Sequence, residues 1–500
     1  MAMALSVASY AAGDSAQRPN IIIFYVDDLG YGDLGCYGAK MVKTPFIDGL
    51  AKKGVLFTDA HSAAATCTPS RYAMLTGEHA FRSNAAILPG DAPLIIPVSK
   101  PTLASMLKKA GYTTGVVGKW HLGLGSGNVN WNGLVKPGPL EIGFDYSFLL
   151  PATGDRVPSV YVENHHVVNA SASDPIAVSY GKKLYGYPNG LDSPQLLRQK
   201  ADTQHSNTIV NGISRIGYMS GGAAALWRDE DFAQVFSDKA NRFISESSGR
   251  PFFLFFSFHD IHVPRLPASQ FAGKSPMGAR GDVLMQMDWT TQQVMRHLRK
   301  LKLLENTIVI FTSDNGPVLG DGYEDKAVEL VGNHRPAGKW SGGKYSAFEA
   351  GTRVPLIVSW PGKIAKKRSD ALVSQIDFYR SLAGVVGVPL ANEEAIDSQN
   401  HWRALLGKTD VAREWLLEES ATLGLRQGQW KYIVPMPPGK AAPARLTNKG
   451  IETGLSKQPQ LYNLATDAAE RINLATAMAE LVVKMQAYVD GLINKRVAEK

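Results

Sequence analysis

The chain has 500 residues, 44% of them apolar and 20% charged, a balance that fits a globular protein and excludes an intrinsically disordered one. At that length one large domain plus a smaller one is expected. The formal net charge of +8 favours anionic partners, but no long lysine/arginine block and no zinc-finger or RNA-binding pattern marks a nucleic-acid binder. The most apolar stretch, 251–258, is far too short to cross a bilayer, so no integral membrane segment is expected. Two cysteines without a Cys-x-x-Cys motif fit neither a disulfide scaffold nor a zinc ribbon. Residues 1–13 are uncharged and moderately apolar, like the later part of a secretory signal without its basic start, which points to a periplasmic or secreted protein.

After this lead-in, the run Asn-Ile-Ile-Ile-Phe-Tyr-Val at 20–26 reads as a strand covered on both faces of a parallel sheet. It ends in Asp27 and Asp28, where open α/β sheets gather their sites; a capping aspartate with a solvated neighbour is the plainer alternative. A short amphipathic helix over 44–54 and a strand over 55–60 lead to SAAATCTPSRYAMLTG at 62–77. Taken alone, Cys67 is either a buried structural thiol or a thiolate nucleophile. A helix beginning just after Pro69 would place it near a helix N-terminus, which favours an anion. A helix over 101–110 and a strand over 113–117 then deliver Gly-Lys-Trp-His-Leu-Gly at 118–123. Lys119 and His121, two apart in an extended segment, should project to one side.

The region 125–229 is irregular and rich in Gly, Pro, Asn and His, and such long loops are usually functional or disordered. Trp131, Arg156, His165, His166, His205, Arg215, Trp227 and Arg228 are its candidates for a polar, aromatic pocket. A helix over 230–246 precedes a buried strand, 252–258, that ends in His259-Asp260-Ile261-His262. Two histidines at a strand end could ligate a transition metal, but the other candidate ligands are oxygens. A helix over 285–301 and a strand over 307–312 reach Ser313-Asp314-Asn315-Gly316, the counterpart of the Asp27-Asp28 ending. Asp27, Asp28, Asp314 and Asn315 together suit a hard cation, calcium first and magnesium second. Trp-Ser-Gly-Gly-Lys begins at 340, with Lys344, and runs to Arg353-Val-Pro355 and a strand over 356–359. Beyond 400 the pattern becomes short antiparallel strands at 415–419, 423–426 and 431–434, a loop over 435–457, and a last helix over 478–495.

Cys67-Thr-Pro-Ser-Arg71 with Leu75-Thr-Gly77, the Gly-Lys-Trp-His-Leu-Gly string and the Gly-Gly-Lys…Glu349-Ala-Gly-Thr-Arg-Val-Pro block together resemble the type I, formylglycine-dependent sulfatases, arylsulfatase-like carbohydrate sulfatases of the alkaline phosphatase superfamily. Gln-Leu-Tyr-Asn-Leu at 460–464, followed by Glu470, Asn473 and Leu474, resembles the close of that family's small C-terminal domain. The resemblance implies an α/β fold, an alkaline-phosphatase-like α/β/α sandwich over 20–405 with a smaller C-terminal α+β domain over 406–500. It implies that Cys67 is oxidised to Cα-formylglycine by a formylglycine-generating or anaerobic sulfatase-maturing enzyme, and that an oxygen of this residue joins the metal ligands. A Cys36–Cys67 bridge would consume that precursor and is not expected. Arg71 would hold the nucleophile. Lys119, His262 and Lys344 would bind sulfate, with His262 or Lys344 assisting the leaving alcohol and His121 acting as base. A sulfated sugar of the galactose or N-acetylgalactosamine type is the expected substrate, with Arg156, His165, His166 and Arg215 as its candidate contacts. A phosphomonoester or phosphodiester hydrolase and a non-catalytic binder of sulfated glycans are the alternatives.

Overall fold

The computed structural model describes residues 18–437, 439, 446 and 451–494. The signal-like stretch 1–13, part of the 435–457 loop and Lys495 at the end of the expected last helix lie outside these residues. In chain order the main sheet contains β1 (Asn20–Val26), β2 (Val55–Phe57), β3 (Thr113–Lys119), β4 (Tyr146–Leu150), β5 (Val162–Glu163), β6 (His166–Val167), β7 (Phe252–Ser257), β8 (Thr307–Ser313), β9 (Leu356–Ser359) and β10 (Lys367–Ser369). These ten strands are arranged β10-β2-β9-β8-β1-β7-β3-β4-β5-β6. β1 runs parallel to both β7 and β8, with Tyr25 beside Ser257 and Val26 beside Ser313. β3 runs parallel to β7, with Gly118 beside Ser257. Four carboxyl ends therefore line up in one row.

Every residue of β1, β7 and β8 is buried, because helices cover both faces. Ile22, Phe24 and Val26 pack towards α1 (Pro45–Ala51), α4 (Phe232–Glu246) and α5 (Gly278–Lys300). Ile21, Ile23 and Tyr25 pack towards α2 (Cys67–Thr76), α3 (Leu103–Lys109) and α6 (Phe378–Val386). The strand period of two thus feeds alternate residues of one run into two cores, giving the α/β/α sandwich. α1 is shorter than the sequence suggests, ending at Ala51 before Lys52-Lys53-Gly54. α5 is longer, starting at Gly278, and its first turn carries a buried arginine, Arg280, where an apolar pattern would be looked for.

A separate antiparallel sheet of β11 (Trp415–Glu419), β12 (Leu423–Gln427), β13 (Trp430–Ile433) and β14 (Gln460–Asn463) forms the smaller C-terminal unit. α7 (Ala479–Ile493) covers it by setting Met485 and Val489 on Leu417, Leu425, Tyr432 and Leu461. The end of β11 is stitched to the approach to α2: Ala65 N–H donates to Glu419 O at 2.7 Å and Glu419 N–H to Ala63 O at 3.1 Å. Behind this seam, buried Arg426 pairs with Glu349 and Asp59, and Lys431 with Glu418. The C-terminal sheet is thereby fixed against the segment that carries Cys67.

Candidate active site

Asp27 and Asp28 follow β1, and Asp314 and Asn315 follow β8; all four are fully buried. Asp28 is held in the left-handed region at φ 62°, which turns its side chain back over the strand ends. Lys119 Nζ donates to Asp27 Oδ2 at 2.5 Å and Lys344 Nζ to Asp28 Oδ2 at 2.9 Å. Arg71 donates to Asp314 Oδ2 from Nε at 2.9 Å and from Nη2 at 2.7 Å. Asn315 Nδ2 donates to Asp28 Oδ1 at 2.8 Å. Among the described residues, Asp27 Oδ1 and Asn315 Oδ1 are buried oxygens without a hydrogen-bond partner, an expensive state unless something else takes them up.

One ligand atom each from Asp27, Cys67 and Asp314 lies within 4.8 Å of the others, as do those of Asp27, Asp28 and His262. Burial, and then the neighbouring Asp314, push the Asp27 carboxyl well above the ordinary carboxylate range; burial likewise raises Asp28 against the pull of Lys344. A dry cluster of carboxylates with orphaned oxygens suits a hard cation such as calcium or magnesium.

The loop after Asp28 is clamped from below. Asp33 accepts from Arg280 Nη1 at 2.8 Å and Nη2 at 2.7 Å, lies 2.7 Å from His334 Nε2, and receives the Gly30 N–H at 2.7 Å. All three side chains are buried. Asp33→Ala leaves a buried guanidinium unpaired and is expected to cost about 3–5 kcal/mol of unfolding free energy. Equilibrium denaturation measures this.

Cys67 is the first residue of α2 and is buried, 2% exposed. Burial raises its thiol pKa despite Lys119 and Lys344, so the unmodified residue is a poor thiolate nucleophile. Both cysteines are free thiols. Arg71, one turn along α2, also reaches Lys119 O at 3.3 Å and Ser257 Oγ at 2.5 Å. It therefore orients Asp314 and the ends of β3 and β7.

His121 does not continue an extended segment: β3 stops at Lys119 and His121 sits at φ 58°. Lys119 consequently turns to Asp27, while His121 lines an inner cavity with Cys67, Asp155, Arg156, His205, His262 and Lys344. His121 Nε2 lies 3.0 Å from Leu88 O, which only an N–H can satisfy, and Nδ1 is buried without a partner. Burial, then Lys119 and Arg156, hold this imidazole well below its usual pKa. A neutral ring with Nε2–H engaged leaves its Nδ1 lone pair without a partner. His262 Nδ1 donates to Val263 O at 2.5 Å, and its Nε2 is 3.8 Å from Asp28 Oδ2. His259 stands behind it, ring centroids 6.0 Å apart. Lys344 Nζ also donates to Asp321 Oδ2 at 3.0 Å, as does Tyr345 Oη at 3.1 Å.

The inner cavity opens into an outer cleft of about 670 Å³ bordered by Thr66, the 84–89 loop, Tyr180, Gln204, Tyr345 and Glu419–Ala421 of the C-terminal sheet. Of the proposed sugar contacts, Arg156 reaches both spaces. His165, His166 and Arg215 do not line them, a correction to the sequence reading. His165 Nε2 lies 2.8 Å from Glu141, and His166 is exposed on β6 at the sheet edge. Arg215 is fully buried, its guanidinium spent on Asp229 at 2.8 and 2.7 Å. Trp131 and Trp227 are core residues and Arg228 is exposed. Sequence reasoning missed Asp155, Asp321 and Tyr345. The first neighbours Arg156 and faces His205, with Asp155 Oδ2 3.4 Å from His205 Nε2; only the Gly-Asp-Arg and Gly-Asp-Gly contexts of 154–156 and 320–322 hinted at turns that present an acid.

The sulfatase family model matches residues 19–388. An N-acetylgalactosamine-6-O-sulfatase of Bacteroides thetaiotaomicron is 49% identical over 484 residues, 96% of this chain and 94% of the relative. Arylsulfatase A of Homo sapiens is 32% identical over 483 residues, 94% of this chain and 86% of the relative. A solved structure described under the metabolism of multiple glycosaminoglycans by Bacteroides thetaiotaomicron matches with a TM-score of 0.93 at 49% identity, covering 95% of this chain and 99% of that one.

Proposed function

The chain belongs to the sulfatase family, and on that premise we propose that it removes a 6-O-sulfate from a galactose-type sugar, N-acetylgalactosamine first, with formylglycine at position 67 and a bound calcium ion. The observation that carries this reading is the convergence of Cys67, His121, His262 and Lys344 on one cavity above the orphaned oxygens of Asp27 and Asn315. The similarity to an N-acetylgalactosamine-6-O-sulfatase supports the choice of sugar and position.

Asp27, Asp28, Asp314 and Asn315 would hold the cation, which when bound supplies positive charge for the sulfate oxygens. Formylglycine, when formed, supplies a hydrated aldehyde oxygen as the nucleophile for sulfur. The chain's own groups do the rest. Lys119 and Lys344, anchored on Asp27 and Asp28, neutralise non-bridging sulfate oxygens in a site from which water is largely excluded. Arg71 keeps Asp314 in place by two donors on its Oδ2. His121 receives a proton at Nδ1, because Nε2 is committed to Leu88 O. Lys344 Nζ is the group placed to give the departing alcohol its proton; His262, whose Nδ1 proton is committed to Val263 O and whose charged form is disfavoured by burial, then Lys344 and Lys119, offers a lone pair at Nε2 and acts as an acid only as the imidazolium. Asp155, Arg156 and His205 at the cavity wall bond the sugar's hydroxyls.

A maturing enzyme that oxidises Cys67 is required by this reading. A periplasmic or secreted location fits it, and no helix among the described residues is long and apolar enough to cross a membrane.

The test is kcat/KM for a set of galactose, N-acetylgalactosamine and glucosamine monosulfates of defined position, with phosphate esters alongside. The 6-sulfate of N-acetylgalactosamine should be fastest; preference for another position, or for phosphate, would overturn the reading. Arg156→Ala and His205→Ala should each lower kcat/KM on the sugar sulfate at least about tenfold, near 1.4 kcal/mol of transition-state stabilisation. An aryl sulfate, which lacks the hydroxyls, should lose far less, and equal losses would remove these residues from sugar recognition.

A further inference from the structure

A second concave surface lies at the opposite pole from Cys67. Leu304 and Glu305 immediately precede β8 and line a groove of about 400 Å³, whereas Asp314 follows β8. The seven residues of that strand, at about 3.3 Å each, separate the two by roughly 23 Å. The groove runs along α1, from Pro45 and Phe46 at its start to Lys53 beyond its end, and along the last turns of α5, which contribute Arg296 and Arg299. Lys300 and Lys302 follow on the same helix end, and all five cations are exposed. Among the described residues none of the five has an ion-pair partner, whereas Lys183, Arg198 and Arg242 elsewhere on the surface are each paired. Glu305 is the one acid among the lining residues.

Helix dipoles account for a cation near each helix end, at less than about 1 kcal/mol apiece. They do not account for the convergence of Lys53, Arg296 and Arg299 on a hollow that also bears Phe46, 41% exposed, with the Arg296 guanidinium 5.9 Å from its ring centroid. Cations without ion-pair partners beside a partly exposed aromatic ring complement a sulfated saccharide, which has anionic groups at its rim and C–H faces on its ring. The volume is that of a small-ligand site.

We propose that this groove is a second binding site for a sulfated glycan, one that holds a distant stretch of the polymer, or a neighbouring chain, while the cleft acts on its own sugar. The inference rests on the reading that the substrate is a sulfated glycan, and its test is separable from that reading. Binding is measured on immobilised chondroitin 6-sulfate with full-length Cys67→Ala protein, so that no glycan is consumed. The Arg296→Glu/Arg299→Glu double variant should bind at least about tenfold more weakly at low salt, with the difference shrinking as salt rises. Lys53→Glu, on the other helix, and Phe46→Ala should weaken binding in the same direction, which keeps the test valid if the double variant folds poorly. In the Cys67 background the same substitutions should leave kcat/KM on a monosaccharide sulfate unchanged. Equal retention of parent and variants would overturn the site. So would capture by phosphatidylserine vesicles or duplex DNA in place of the glycan. Loss of glycan retention in the variants, alongside an active form that hydrolyses no sugar sulfate, would support the groove and overturn the catalytic reading.

Discussion

Replacing Cys67 with alanine should lower sulfate-ester turnover by at least about 10⁴-fold, the scale on which loss of a covalent nucleophile is felt. The protein should otherwise be little altered. The Cys67 side chain is small, buried and at the first position of α2, where alanine is a good helix former. Its removal costs on the order of 1 kcal/mol, which in a chain of this size moves the melting temperature by about 4 °C at most. Steady-state kinetics beside a thermal melt separates the two effects. A melt shifted as far as the rate would mean that the thiol matters for packing alone.

The second large effect concerns Asp314. Its Oδ2 receives both donors from fully buried Arg71, and its carboxylate stands with Asp27 and Cys67 in one possible metal-holding group. Asp314→Ala therefore removes a proposed cation ligand and strands a buried guanidinium, a loss of about 3–5 kcal/mol before any metal is considered. In the parent, calcium at a hundred times its dissociation constant should raise unfolding free energy by about 2.7 kcal/mol, and a chelator should reverse this. In the variant the calcium-dependent increment should vanish, and turnover should fall by about 10³-fold or more. Calcium titration followed by thermal unfolding reads the increment directly. An undiminished calcium response in Asp314→Ala would remove this residue from the cation site.

The strand ends were legible because a parallel strand buried on both faces leaves a continuous apolar run, and the abrupt change to Asp27-Asp28 or Asp314-Asn315 marks its carboxyl end. The row formed by Val26, Ser313, Ser257 and Gly118 then brings together residues almost three hundred positions apart in the chain, as with Arg71 and Asp314, 243 apart. The loop between β4 and α4 was not legible in the same way. Nothing in its composition separates Arg156, which reaches the cleft, from Arg215, which is consumed by Asp229, because each fate is decided by neighbours distant in sequence. His165 and His166 fail for a related reason: they lie on an edge hairpin, His165 in its turn and His166 on its two-residue second strand, away from the strand ends. The Asp33 clamp was hidden because its partner Arg280 lies in a helical turn without an apolar pattern. His121 departed from its extended reading because a left-handed residue after β3 reverses the direction in which alternate side chains point.

The central claim is that position 67 carries a precursor and not the nucleophile itself. Its most direct test is the mass of the peptide spanning residues 62–77 from protein purified in an active state. Formylglycine at position 67 gives a peptide lighter than the coded one by the difference between hydrogen sulfide and an oxygen atom, in proportion to specific activity across preparations. Fully active protein whose peptide retains the thiol would contradict it.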